Sequence, residues 1–122
     1  MTERRQHVRL AERHKVRMSI RSLPGGKPAT SVNLSGWTED ISVGGLRLTS
    51  RKKLPVGADL DLHVELTHPL ETFDVAGKVV WCGAHTGGRS VQAGIYISAS
   101  PRKAFIEWSR MVTRRAGYAD PI

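Results

Sequence analysis

The chain has 122 residues, enough for one domain with a single core of modest size. Its 19 Lys and Arg against 11 Asp and Glu give a formal charge of +8, which favours an anionic partner without choosing among anions. A single cysteine, Cys82, excludes an internal disulfide, and no apolar run approaches the ~20 residues of a membrane-spanning helix. Because the N-terminus also lacks an apolar leader, we expect a soluble cytoplasmic protein without membrane insertion.

The first 13 residues are predicted to form a flexible arm ahead of a folded domain, residues 14–122. The arm contains RRQHVRLAER, residues 4–13, which places four arginines within ten residues. Taken alone, such a stretch is best interpreted as a solvated basic tail.

Six segments show the two-residue alternation of half-buried strands. They are residues 14–20, 37–41, 46–49, 58–66, 73–81 and 91–97. Turns rich in glycine and proline separate them. So many short strands in a small domain predict a six-stranded antiparallel β-barrel, because a closed barrel pairs its own edges.

One segment, about residues 100–116, has the helical period and is predicted to be a C-terminal α-helix. Ser100 is the expected N-cap, Pro101 the first helical residue, and Gly117 the stop. The apolar face, expected to cover one end of the barrel, comprises Phe105, Trp108 and Val112.

The three tryptophans are assigned mainly to packing. Trp37 and Trp108 are both expected in the core. Trp81 has the same strand phase as Val75 and Val79, which also favours the core. Its position at the end of a strand leaves the alternative of a wall for a bound base.

The sequence contains no evident set of catalytic residues. There is no phosphate-binding loop and no G-x-G-x-x-G, and the five histidines lack the spacing of a metal site. Cys82 is interpreted as a small packed residue, because no histidine can be assigned to it. We therefore expect no enzyme activity, no metal and no cofactor.

The stretch DISVGG, residues 40–45, has a local interpretation as a turn. Short polar side chains bond their own backbone there, and the glycines are expected at positive φ before the next strand. The stretch RQHVR, residues 5–9, supplies a second short motif upstream. Other RxxxR frames follow it, RLAER and RHKVR among them, but the frame at 5–9 leaves room for a free segment before the first strand.

Together the two motifs resemble the PilZ family of cyclic di-GMP receptors, whose signature is RxxxR followed by [D/N]xSxxG. The segments LPVGADLDLHVEL, GKVVW and AGIYI also resemble later strands of that family, so the resemblance covers nearly the whole chain. It implies a bacterial receptor that binds cyclic di-GMP, orders its arm over the ligand and signals to an unidentified downstream protein.

The resemblance implies a ligand site formed by Arg5, Arg9, Asp40, Ser42 and Gly45. Arginine can fork onto phosphate oxygens or onto guanine O6 and N7. The Asp40 carboxylate can accept from N1–H and the N2 amino group of guanine, a donor pair that adenine lacks. Gly45 would let the backbone approach a base plane.

The arginine before the motif, Arg4, bears on stoichiometry. In the family, an arginine at this position often accompanies an intercalated pair of ligands, so Arg4 implies two cyclic di-GMP molecules per chain. The alternative is that Arg4 belongs to a solvated tail.

Two other functions stay open at this point. A small barrel with a charge of +8 could bind nucleic acid, although its few aromatic residues fall mostly in core phase, which makes nucleic acid an unlikely partner. A PilZ-like adaptor that binds only protein is the second alternative, and the presence of both motifs argues against it.

Overall fold

The computed structural model describes residues 8–29, 33–84 and 88–117. The elements in this part of the chain are β1 (Lys15–Leu23), β2 (Lys27–Pro28), β3 (Asn33–Ile41), β4 (Gly45–Ser50), β5 (Asp59–Leu66), β6 (Glu71–Ala84), β7 (Val91–Ile97) and α1 (Arg102–Arg115). The two-residue β2 pairs only with the end of β1.

The other six strands form the predicted barrel. Their spatial order is β1, β3, β4, β7, β6 and β5, with antiparallel pairing between neighbours. β5 pairs back onto β1 and closes the cylinder. The fold class is thereby confirmed, and closure leaves the barrel strands without free edges.

The predicted alternation correctly identifies most of the barrel interior. In β5 every second side chain is buried, while the polar residues between them face outward. The buried apolar core includes Val16, Met18, Leu46, Leu48, Leu60, Leu62, Val64, Leu66, Val75, Val79, Ala93, Ile95 and Ile97. Cys82 packs half-buried against this core, as expected of a small apolar side chain.

Bulges interrupt the alternation of β3 and β6. In β3 the pairing with β4 shifts between Thr38 and Asp40, and Glu39 is the extra residue. Thr38 points inward and is buried, so an unbroken strand would also turn Asp40 inward. The bulge instead places Asp40 on the outer face, opposite Arg47.

The bulge in β6 corrects the prediction for Trp81. The pairing with β7 shifts between Val79 and Trp81, so Val80 is extra and both Val80 and Trp81 face outward. Trp81 is 44% exposed, and its assignment to the core is therefore wrong. Strand phase predicted the opposite face because it counts every residue of a strand as paired.

The assignment of Trp37 to packing is also wrong, whereas that of Trp108 is confirmed. Trp37 precedes the inward-facing Thr38 and is 48% exposed on the outer face, with the Arg13 guanidinium 5.8 Å from its ring centroid. Trp108 is fully buried and meets Phe73 edge to face, with ring centroids 6.1 Å apart.

The C-terminal helix is confirmed, but its start is one residue later than expected. Pro101 keeps an extended conformation and occupies the N-cap, so Ser100 is not the cap and Pro101 is not the first helical residue. The Phe105 N–H donates to Pro101 O at 3.1 Å in the first turn. Gly117, with φ of +88°, follows the helix end as predicted.

α1 packs against β6 and contributes Trp108, Met111 and Val112 to the core, with Phe105 half-buried beside them. Nowhere in the described residues is a helix long and apolar enough to cross a membrane.

Candidate functional site

Four residues form a single row across the outer face of the barrel. Asp40 on β3 is opposite Arg47 on β4, Arg47 is opposite Gly94 on β7, and Gly94 is opposite Trp81 on β6. A Cβ atom on Gly94 would collide with the Trp81 indole, which therefore lies against the glycine. The row, called the outer platform below, brings a carboxylate, a guanidinium and an exposed aromatic ring together.

Asp40 lies between two guanidinium groups. Its Oδ2 accepts a hydrogen bond from Arg47 Nε at 3.0 Å, and its Oδ1 lies 3.1 Å from Arg9 Nη2. Oδ1 is buried, yet it accepts no hydrogen bond of good geometry from the described residues. One oxygen of the carboxylate is thus fixed, while the other keeps an acceptor position for an incoming donor.

Ser42 shapes the turn between β3 and β4. The Ser42 N–H donates to Gly45 O at 2.8 Å, and the Ser42 hydroxyl both donates to Gly45 O and accepts from Gly45 N–H. Trp108 Nε1 donates to Ser42 O at 2.9 Å, which ties the turn to α1. Ser42 is therefore a buried part of the fold as well as a neighbour of Arg9, whose Nη1 lies 3.4 Å from Ser42 Oγ.

Gly45 serves the close approach of two strands. It is buried in β4, and a Cβ atom there would lie 2.5 Å from Ile95 O on β7. Its φ lies outside the positive range, so the expected positive φ is wrong at this residue. The predicted role against a base plane stays a prediction.

A short backbone bridge brings Arg9 to the site. Leu10 N–H donates to Ile41 O at 2.8 Å, and Ile41 N–H donates to Leu10 O at 2.9 Å. The bridge sets Arg9 beside the end of β3, where its half-exposed side chain reaches Asp40 and Ser42. Arg4 and Arg5 lie outside the described residues, and the flexibility predicted for residues 1–13 stays a prediction.

Glu12 joins the same segment to the end of α1. Its Oε1 accepts from Arg115 Nε at 2.9 Å and lies 2.8 Å from His14 Nε2. Burial acts to raise the pKa of Glu12, but the hydrogen bonds with His14 and Arg115 outweigh it and hold the pKa below its usual value. The carboxylate is thus favoured in its charged form.

Arg47 is a site residue that the motifs did not indicate. Besides holding Asp40, it donates from Nη1 to Gln92 Oε1 at 3.2 Å. The alternation of Leu46, Arg47 and Leu48 could have placed it on an outer face. Its position opposite Asp40 depends on the bulge and could not have been predicted that way.

The sequence matches the PilZ domain family over residues 3–108, most of the chain. The chain belongs to the PilZ domain family. Both motifs, RxxxR at residues 5–9 and DxSxxG at residues 40–45, fall inside the matched part. Among curated proteins, no sequence matches this one.

Solved structures share the fold at low identity. The Bacillus subtilis inhibitor of motility, MotI/DgrA, has a TM-score of 0.67 at 16% identity, covering 94% of this chain and 52% of its own. The PilZ domain of CeSA from a cellulose-synthesizing bacterium has 0.61 at 17%, covering 89% and 98%. YcgR from Escherichia coli, solved in complex with c-di-GMP, has 0.66 at 15%, covering 93% and 45%. This chain thus spans about half the length of MotI and of YcgR.

Proposed function

We propose that this PilZ domain is a receptor for cyclic di-GMP. The observation that carries the proposal is the meeting of Arg9, Asp40 and Ser42, which belong to two motifs 31 residues apart at their nearest ends. Their side chains supply an arginine fork, an anionic acceptor and a fixed turn beside the end of β3. YcgR, which shares the fold, was solved with this ligand.

Asp40 reads guanine in this proposal. Its Oδ2 keeps the hydrogen bond from Arg47, and the open acceptor position on Oδ1 takes one donor of the guanine N1–H and N2 pair. The second lone pair of Oδ2 takes the other donor. Adenine has no such donor pair, so its cyclic dinucleotide binds more weakly.

Arg9 exchanges partners when the nucleotide binds. Its contact with Asp40 joins a guanidinium that is 54% exposed to a carboxylate that is 13% exposed, and the carboxylate keeps its ion pair with Arg47 when Arg9 leaves. A phosphate offers the guanidinium two parallel hydrogen bonds instead of one ion pair. Trp81 supplies a flat apolar surface on which a base stacks at the other side of the outer platform.

Residues in and beside the two motifs complete the proposed site. Arg5 joins Arg9 on the phosphates, Gly45 lies close to a base plane, and Arg4 supplies the third fork that two nucleotides per chain require. The N-terminal segment becomes ordered on the ligand and changes the surface offered to a downstream protein. The domain is a binding module without catalytic function, and it needs no cofactor besides its ligand.

A nucleic-acid-binding function has one specific observation in its favour. Trp37 and Trp81 are both exposed, so the outer face carries more aromatic surface than strand phase predicted. The two rings lie on β3 and β6, with two strands between them. That spacing does not form the continuous stacking platform that single strands use.

Calorimetric titration with cyclic di-GMP, cyclic di-AMP and a single-stranded RNA tests the proposal. We expect tight binding of cyclic di-GMP, at least tenfold weaker binding of cyclic di-AMP, and only weak, salt-sensitive binding of RNA. A wild-type protein that prefers RNA supports the nucleic-acid alternative. One that binds none of the three supports a protein-only adaptor.

A further inference from the structure

A second row of side chains crosses the outer face beside the outer platform. Lys15 on β1 is opposite Trp37 on β3, and Trp37 is opposite Thr49 on β4. Thr49 lies two residues beyond Arg47, a distance of about 7 Å along the strand. The Trp37 surface, defined here as Arg13, Lys15, Trp37, Thr49 and Arg51, therefore adjoins the platform.

This surface contains a concavity of about 380 Å³, which Lys15, Trp37 and Arg51 help to line. The volume falls within the usual range of about 300 to 1,000 Å³ for small-molecule sites. Trp37 is almost half exposed, and a planar cation, the Arg13 guanidinium, already lies over its ring. The ring thus holds a planar cation at a place that a flat base takes when Arg13 moves aside.

The charges around the concavity are predominantly positive. Lys15 and Arg51 are exposed, and within the described ranges neither has a carboxylate within ion-pair distance. Two acids border the surface. Glu39 is paired with Arg13 at 3.8 Å and accepts a hydrogen bond from Thr49, and Glu65, opposite Lys15 on β5, is paired with Arg17 at 3.5 Å. An anion entering the concavity would therefore meet two cations that form no ion pair within the described residues.

We infer that the Trp37 surface is a second nucleotide-binding subsite. A purine base stacks on Trp37, and its phosphate pairs with Lys15 and Arg51. The inference rests on the proposed function and deepens it, because the subsite holds a nucleotide in addition to those bound at Asp40 and the motif arginines. That nucleotide is either a further cyclic di-GMP or a free purine mononucleotide, which share the base and the phosphate.

A nucleotide fits this surface better than a partner protein does. A stable protein interface buries about 800 Å² on each side and centres on several apolar or aromatic side chains. Here a single aromatic ring stands among cations over a concavity of small-molecule size. Those features match a base and a phosphate.

The test compares Trp37→Ala and Trp37→Phe with the wild type by calorimetric titration with cyclic di-GMP and, separately, with GMP. Lys15→Ala removes a cation of the subsite, and Lys103→Ala, an exposed lysine on α1, is its matched control. Thermal unfolding checks that each variant folds, which we expect because Trp37 packs little of its surface.

We expect Trp37→Ala either to bind one cyclic di-GMP fewer per chain than the wild type or to lose the GMP binding that the wild type shows. The first result identifies a further cyclic di-GMP as the source, and the second identifies a mononucleotide. The binding event that Trp37→Ala loses is kept in Trp37→Phe and in Lys103→Ala, whereas Lys15→Ala weakens its affinity about tenfold.

The subsite is overturned if Trp37→Ala binds as many cyclic di-GMP molecules per chain as the wild type, with unchanged affinities, and the wild type binds no GMP. That outcome leaves the receptor function intact. GMP binding that persists unchanged in Trp37→Ala and Lys15→Ala overturns it as well. A wild type that binds no cyclic di-GMP contradicts the proposed function itself, and so the two failures are distinguishable.

Discussion

The two halves of the PilZ signature differ in how deeply they belong to the fold. The turn at residues 40–45 is built into the barrel, since Ser42 is buried, bonded to Gly45 and held by Trp108. Arg9 contacts the barrel through an exposed side chain, and its segment is held by the backbone bridge of Leu10 and by the bonds of Glu12. The two motifs therefore contribute differently to the stability of the fold, and substitutions in each should have different effects on stability and on ligand binding.

The largest effect is expected in the turn half, for Gly45→Ala. The new Cβ would meet the backbone carbonyl of Ile95, which cannot move without separating β4 from β7. We expect a loss of about 3 kcal/mol in the free energy of unfolding, measured by urea denaturation. Gly83→Ala is the matched control, because a Cβ there meets nothing within 4 Å. Equal stability of the two variants would contradict the packing role.

Asp40→Ala tests whether the turn at residues 40–45 also recognises guanine. We expect cyclic di-GMP affinity to fall by about 2 kcal/mol, roughly thirtyfold, with loss of most of the preference over cyclic di-AMP. Asp61→Ala removes an outer-face carboxylate on β5 and should leave both affinities unchanged. A wild type with equal affinity for the two nucleotides would remove Asp40 from this role.

Arg9→Ala tests the arginine motif, the other half of the signature. Cyclic di-GMP affinity should fall by about 1.5 kcal/mol, roughly tenfold, because a phosphate fork is lost. The melting temperature should barely change, because an exposed ion pair contributes little to stability. Arg21→Ala is a close match, since that side chain is also 54% exposed and ion-paired, with Asp61. If Arg9→Ala unfolds the protein, the segment is structural and the contrast between the halves fails.

Arg47→Ala tests whether Arg47 orients the Asp40 carboxylate. Without the hydrogen bond from Nε, the carboxylate loses its fixed orientation, and we expect cyclic di-GMP affinity to fall by about 1 kcal/mol, roughly fivefold. The ratio of affinities for cyclic di-GMP and cyclic di-AMP should fall with it. Arg17→Ala, in an outer-face ion pair with Glu65, is the control. An unchanged ratio would limit Arg47 to a structural contact.

The smallest effect is expected for Glu12→Gln, which weakens the attachment of the N-terminal segment to α1. The pKa of Glu12 is lowered in the folded protein, so its stabilisation is present at neutral pH and is lost as the pH falls through that lowered pKa. We expect the wild type to exceed the variant by less than about 1 kcal/mol at neutral pH and to converge with it in acid. Glu107→Gln on α1 controls for removing a negative charge, and a difference that is independent of pH would contradict the mechanism.

The barrel interior and both motif segments could be predicted from sequence because each depends on local pattern. Alternating leucines identify the buried face of β5 whatever strand pairs with it. Arg9, Asp40 and Ser42 were predicted to lie together from the family signature, and among these described residues they do. The predicted cap at Ser100 failed because the extended conformation of Pro101 delays the helix by one residue.

The sequence alone determined the fold class, the buried face of regular strands such as β5 and the chemistry available at the motifs, because these follow from side-chain type and regular spacing. Tertiary structure decided which side chains reach the outer platform. Asp40 and Trp81 share that face only because β3 and β6 each contain one unpaired residue, Glu39 and Val80. A bulge arises from the register between two strands, so a pattern counted along one strand cannot reveal it.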